Sequence, residues 1–105
     1  FITVKDIVRF WTNLLSGNLF DKALVTEMLR RQSGDGADAE EGYYGYGLWI
    51  IANPNGRDFA YFQGCDPGVS FISEYNIEKD MISVQVSNYG DNVWQEMRKI
   101  REIFY

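Results

Sequence analysis

Few side chains in this sequence suit covalent catalysis. There is no histidine and a single cysteine, Cys65, so Ser-His-Asp and Cys-His catalysis are excluded within the chain, as is nearly every zinc site. One cysteine also rules out an internal disulfide and leaves the redox compartment unmarked. Cys65 stands in the bend Gly64-Cys65-Asp66-Pro67-Gly68, inside the stretch YFQGCDPGVSF. A bend rich in N–H groups can lower a thiol pKa, but no base or cation is adjacent and Asp66 opposes a thiolate. Cys65 reads better as a small residue tolerated in a corner. The corner itself is unusual: Pro67 fixes one backbone angle and Gly68 relaxes the next. It reads as longer and stiffer than a plain two-residue hairpin turn.

Other polar groupings carry less. Ser33 to Gly42, with Asp35, Asp38, Glu40 and Glu41, does not match the twelve-residue calcium-loop ligand pattern and reads as solvated loop. Ser16-Gly17-Asn18 sits where a helix ends, and such residues are ordinary there. Tyr43, Tyr44, Tyr46 and Trp49 could form a platform for an aromatic or carbohydrate ligand. Alternation more simply sends half of them into a core and half outward.

The elements that must position these residues follow from periodicity. Thr3 and Asp6 form a capping box ahead of Val4, Ile7, Val8, Trp11, Leu14 and Leu15 at helical spacing, with Gly17 as the stop. A second helix is predicted from Asp21 to about Gln32, giving a helical hairpin. The pattern then turns to strands: YYGYGLWII, RDFAYFQG, VSFISEY and MISVQVSN, with NPNG and NIEKD as turns. A last helix, capped by Asp91, carries Val93, Met97, Ile100 and Phe104 on one face. Short links imply an antiparallel meander. The fold class is therefore α+β: a helical hairpin, a four-stranded antiparallel meander and a C-terminal helix on the sheet.

Composition sets outer bounds. The 105 residues, 46% hydrophobic and 16% aromatic, are enough for one compact domain with a modest core and do not describe a disordered tail. Net charge is −5 and the ten Lys and Arg are dispersed, which removes the main driver of nucleic-acid binding. No apolar run approaches the roughly 20 residues of a membrane span. The opening FITVKD lacks a signal-peptide layout. It reads as the middle of a longer polypeptide, so residues 1–105 are taken as a single domain excised from something larger.

The order of parts resembles the C-terminal portion of the serine β-lactamase and penicillin-binding-protein-like family, in particular its class C and esterase-like branch. The residues carrying the resemblance are Thr3, Asp6, Phe10 and Leu14-Leu15-Ser16-Gly17-Asn18-Leu19, then Tyr44-Gly45-Tyr46-Gly47. After them come Gly64-Cys65-Asp66-Pro67-Gly68-Val69-Ser70 and Asn88. The resemblance spans essentially the whole chain and implies a partial β-lactamase-like fold. In that family a Lys-Thr-Gly or His-x-Gly triplet lines the cleft, and the N–H after its glycine aids the oxyanion hole. Alignment on Pro67-Gly68 places the triplet at Phe62-Gln63-Gly64 and the donor at Cys65. The implied substrate-binding and oxyanion residues are thus Phe62, Gln63, Gly64 and Cys65.

Two departures qualify what the resemblance implies. Phe62 stands where the family carries a cation, so it can neither hold a substrate carboxylate nor relay a proton. Gln63 could hydrogen-bond, but alternation sends it to the opposite face of the strand. The family's Ser-x-x-Lys and Tyr-x-Asn are also missing: none of Ser16, Ser33, Ser70, Ser73, Ser83 or Ser87 has a lysine three residues on. The chain alone is expected to be inactive, with no catalytic residue of its own, no cofactor and no metal. Its expected partners are the remainder of the parent domain and, within it, a β-lactam or peptidoglycan-like peptide, in a bacterial, extracytoplasmic setting. The alternatives are a non-catalytic peptidoglycan- or peptide-binding domain of this fold, which Phe62 favours, and an unrelated α+β interaction module.

Overall fold

The computed structural model describes residues 2–30, 42–51, 58–90 and 92–104. The acidic loop from Ser33 to Glu41, the NPNG turn and the Asp91 cap lie outside them. Helix α1 runs Val4–Leu15. Its capping box is formed: the Asp6 N–H donates to Thr3 Oγ1 at 3.2 Å, and the Thr3 N–H donates to Asp6 Oδ2 at 2.9 Å. The Thr3 N–H and then the Thr3 hydroxyl, both donating to the carboxylate, hold the Asp6 pKa below its ordinary value. Helix α2, Lys22–Met28, is capped by Asp21, whose side chain accepts from the Leu24 N–H at 3.0 Å. It stops short of the predicted Gln32.

The strands are β1 Tyr43–Tyr44, β2 Trp49–Ile51, β3 Phe59–Asp66, β4 Val69–Asn76 and β5 Met81–Ser87, followed by α3 Val93–Phe104. They form one antiparallel sheet in chain order. The sequence pattern predicts four strands; among the described residues there are five, because YYGYGLWII breaks at its glycines. The Gly45 N–H donates back to the Leu48 carbonyl at 2.7 Å, and Gly47 takes φ +78°. A Cβ on Gly45 would lie 2.9 Å from the Met28 carbonyl oxygen, so only glycine lets the end of α2 approach this corner.

Helices cover both faces of the sheet. On one, Ile7, Trp11 and Leu14 of α1 and Val25 of α2 meet Leu48, Ile50, Ala60 and Tyr75. On the other, Val93 and Met97 of α3 meet Ile51, Phe59, Tyr61 and Ile72. The predicted stripes are only partly buried: Val4 and Val8 in α1 and Phe104 in α3 remain exposed. Polar groups lock each helix down. Trp11 Nε1 donates to Ser73 Oγ at 2.6 Å inside the core. On the opposite face Glu74, with no exposed surface, is paired with Arg101 of α3, whose guanidinium also lies 4.9 Å from the centre of the Phe59 ring. A charge buried that deeply is tolerable only with such a partner. No described helix is long and apolar enough to cross a membrane.

Candidate functional site

The YFQGCDPGVSF bend is the tip of the β3–β4 hairpin. The ladder continues to Asp66 opposite Val69, so the corner is only Pro67-Gly68, shorter than the sequence pattern suggests. A proline at the first turn position and Gly68 at φ +81° are the backbone requirements of a type II turn. Such a tight turn fixes the hydrogen-bonding phase of the strand. The pair flanking a two-residue turn shares both its N–H···O=C bonds, and bonded and non-bonded pairs then alternate. Asp66, Gly64 and Phe62 therefore direct their backbone groups towards β4, while Cys65 and Gln63 direct theirs away from it.

On that outer side β2 accompanies β3 only through Trp49–Tyr61, Ile50–Ala60 and Ile51–Phe59. Beyond Tyr61 the chain of β2 has already turned off at Gly45–Leu48. Among the described strands none runs beside Gln63 and Cys65, whose N–H and C=O groups form an open rim of the sheet. Both side chains lie on the α3 side of β3. Gln63 Oε1 accepts from Trp94 Nε1 at 2.5 Å, and Cys65 is exposed.

Phe62 and Gly64 face the other way, towards α1. Phe62 lies 5.5 Å from Trp11, 6.2 Å from Phe10 and 5.5 Å from Phe71, centroid to centroid. Beside it opens a cavity of about 250 Å³ lined by Phe10, Leu14, Met28, Tyr46, Gly47 and Leu48. Leu14 and Leu48 are buried at its floor, whereas Phe10 and Tyr46 are exposed at its mouth. No lining residue carries a charge. The sequence pattern ends the strand at Gly64 and puts Cys65 in the bend, whereas β3 carries Phe62, Gln63, Gly64 and Cys65 together; the pattern also missed the cavity. The available signal was Phe10, an aromatic outside the buried stripe of α1, together with Tyr46 set between two glycines.

Four of the described serines hydrogen-bond within the fold. Ser70 Oγ donates to the Tyr89 carbonyl at 2.6 Å, Ser73 accepts from Trp11, Ser16 Oγ donates to the Asn13 carbonyl, and Ser87 Oγ accepts from the Tyr89 N–H. Among the described residues no three His, Cys, Asp or Glu side chains gather to hold a metal.

Comparison with solved structures identifies the architecture. The fold matches a penicillin-binding protein from Bacillus halodurans at a TM-score of 0.82 and 26% identity, over 98% of this chain and 31% of that one. The fold is penicillin-binding-protein-like. The chain thus spans about a third of that protein's length. No family model and no curated protein matches the sequence.

Proposed function

We propose that this chain is the C-terminal segment of a penicillin-binding-protein-like or β-lactamase-like hydrolase domain and supplies the oxyanion-side wall of its cleft. The rest of the parent domain, its principal partner, would supply the nucleophile. One observation carries the reading: in a fold of this type, the rim of β3 beyond Tyr61 leaves the Gln63 and Cys65 amides open, next to the position of the family triplet. A preorganised amide of this kind can stabilise a developing oxyanion by about 3 kcal/mol. With no Ser-x-x-Lys, the chain by itself is inert. The placement in the class C and esterase-like branch rests on the Tyr44-Gly45-Tyr46-Gly47 and Pro67-Gly68 motifs.

A second reading, a non-catalytic domain that binds neutral peptides along the same rim, is favoured by Phe62. That side chain is committed to an aromatic cluster where the family pattern needs a cation.

Both readings are tested by titrating the isotope-labelled chain with a short uncharged N-acetyl peptide amide and following its backbone amides. The Gln63 and Cys65 signals are expected to move, and those of Phe62 and Gly64 to stay. Uniform shifts, or none, would remove the rim from consideration. A chromogenic cephalosporin should remain intact; turnover that disappears in Cys65→Ala would defeat the inert reading.

A further inference from the structure

We infer that the cavity beside Phe62 is a binding pocket for one uncharged apolar group of ring size, carried by the ligand that lies along the β3 rim. The placement of that ligand rests on the function proposed above; the chemistry of the pocket does not.

The inference starts from what the cavity lacks. Its lining from α1, α2, the Gly45–Leu48 corner and β3 offers no charge and, apart from the Tyr46 hydroxyl at the mouth, no side-chain polar group. An ionised group entering it would shed water and gain no partner, a loss that apolar walls cannot offset. An apolar group entering it gains by removing both surfaces from water.

Size narrows the occupant. At about 250 Å³ the space falls below the roughly 300–1,000 Å³ of pockets that enclose whole drug-sized ligands. It suits a single substituent. The walls favour a ring. Phe10 and Phe62 stand edge to face at 86°, so ring faces and edges are both presented, and Met28 brings a thioether that packs well on aromatic rings.

Position ties the pocket to the rim. Phe62 is both a wall of the cavity and the residue before Gln63, so a group seated against it is one residue from the open amide. An extended ligand paired to a strand edge places alternate side chains on opposite faces. One of them would descend on the α1 side, where the cavity opens. Phe62 is thereby the specificity-determining residue, selecting against an anionic group.

The test uses toluene and benzoate, which share a ring and differ in charge, with amide chemical shifts of the labelled chain as the readout. Toluene is expected to shift Gly47, Leu48 and Phe62 saturably, and benzoate to bind at least about tenfold more weakly. Phe62→Lys, which puts a cation on the wall, should reverse that order. Because this variant disturbs the aromatic cluster, Tyr46→Ala at the exposed mouth serves as a second: it should weaken toluene binding and leave the melting temperature unchanged. Equal binding of benzoate and toluene, or toluene shifts confined to the α3 face, would overturn the pocket. Saturable toluene binding combined with a rim that ignores the peptide amide would retain the pocket and reject the function proposed above.

Discussion

The two halves of β3 share one strand and one partner in β4, yet they are different materials. Phe59, Ala60 and Tyr61 are buried, paired on both sides, and covered by α1 above and α3 below. Phe62 is half-buried and Gln63 to Asp66 are exposed, paired among the described strands with β4 alone. A sheet normally protects such an edge. Here it is stiffened by a tight turn at one end and by a two-sided core at the other. Stability is thus concentrated where no ligand can reach, and unused hydrogen-bonding capacity where one can.

That contrast can be broken from either end. The largest effect is expected from Arg101→Met, which removes the ion-pair partner of the buried Glu74 carboxylate, opposite Tyr61 in the buried half. Breaking a buried ion pair by removing one partner costs about 3–5 kcal/mol, measurable by urea denaturation; a loss under about 1 kcal/mol would show that the pair is not part of the foundation.

At the far end, Gly68→Ala forces a side chain into φ +81° and should cost about 1–2 kcal/mol. If the turn sets the phase of the rim, the peptide-induced shifts at Gln63 and Cys65 should weaken in the same variant.

A third test concerns Tyr75, opposite Ala60 in the buried half. Burial first, and then its hydroxyl's hydrogen bond to Asp80, push its pKa up from 10.0 to about 12. The folded state therefore holds the phenol proton more tightly than the unfolded chain. Its contribution to stability is whole below pH 10 and is lost as pH rises towards 12. Tyr75→Phe should flatten that alkaline decline in a denaturation series; an unchanged slope would refute the assignment.

The smallest effect belongs to the open half: Cys65→Ala, at an exposed position, should change stability by less than about 0.5 kcal/mol.

Local features were legible in the sequence because neighbours along the chain decide them. The capping box at Thr3 and Asp6, the cap at Asp21, the Pro67-Gly68 reversal and the alternation that sends Phe62 and Gln63 to opposite faces all depend on contacts within a few residues. The break in YYGYGLWII was written there too, as Gly45 and Gly47, but β-rich flanks masked it. The glycine at 45 is explained only by the approach of Met28, which belongs to another element.

Sequence alone therefore determined the α+β class, the caps of α1 and α2, and the reversal at Pro67-Gly68, but not the split of the first strand or the length of β3. Tertiary structure decided which edge of that strand stays open, because β2 pairs with β3 only as far as Tyr61. It decided the fate of Phe62, which sits against Trp11, and the pairing of Trp11 with Ser73 and of Glu74 with Arg101, groups 62 and 27 positions apart. The reason is physical: hydrogen-bond phase and helical period are set by the local backbone, whereas burial and charge pairing depend on which surfaces meet.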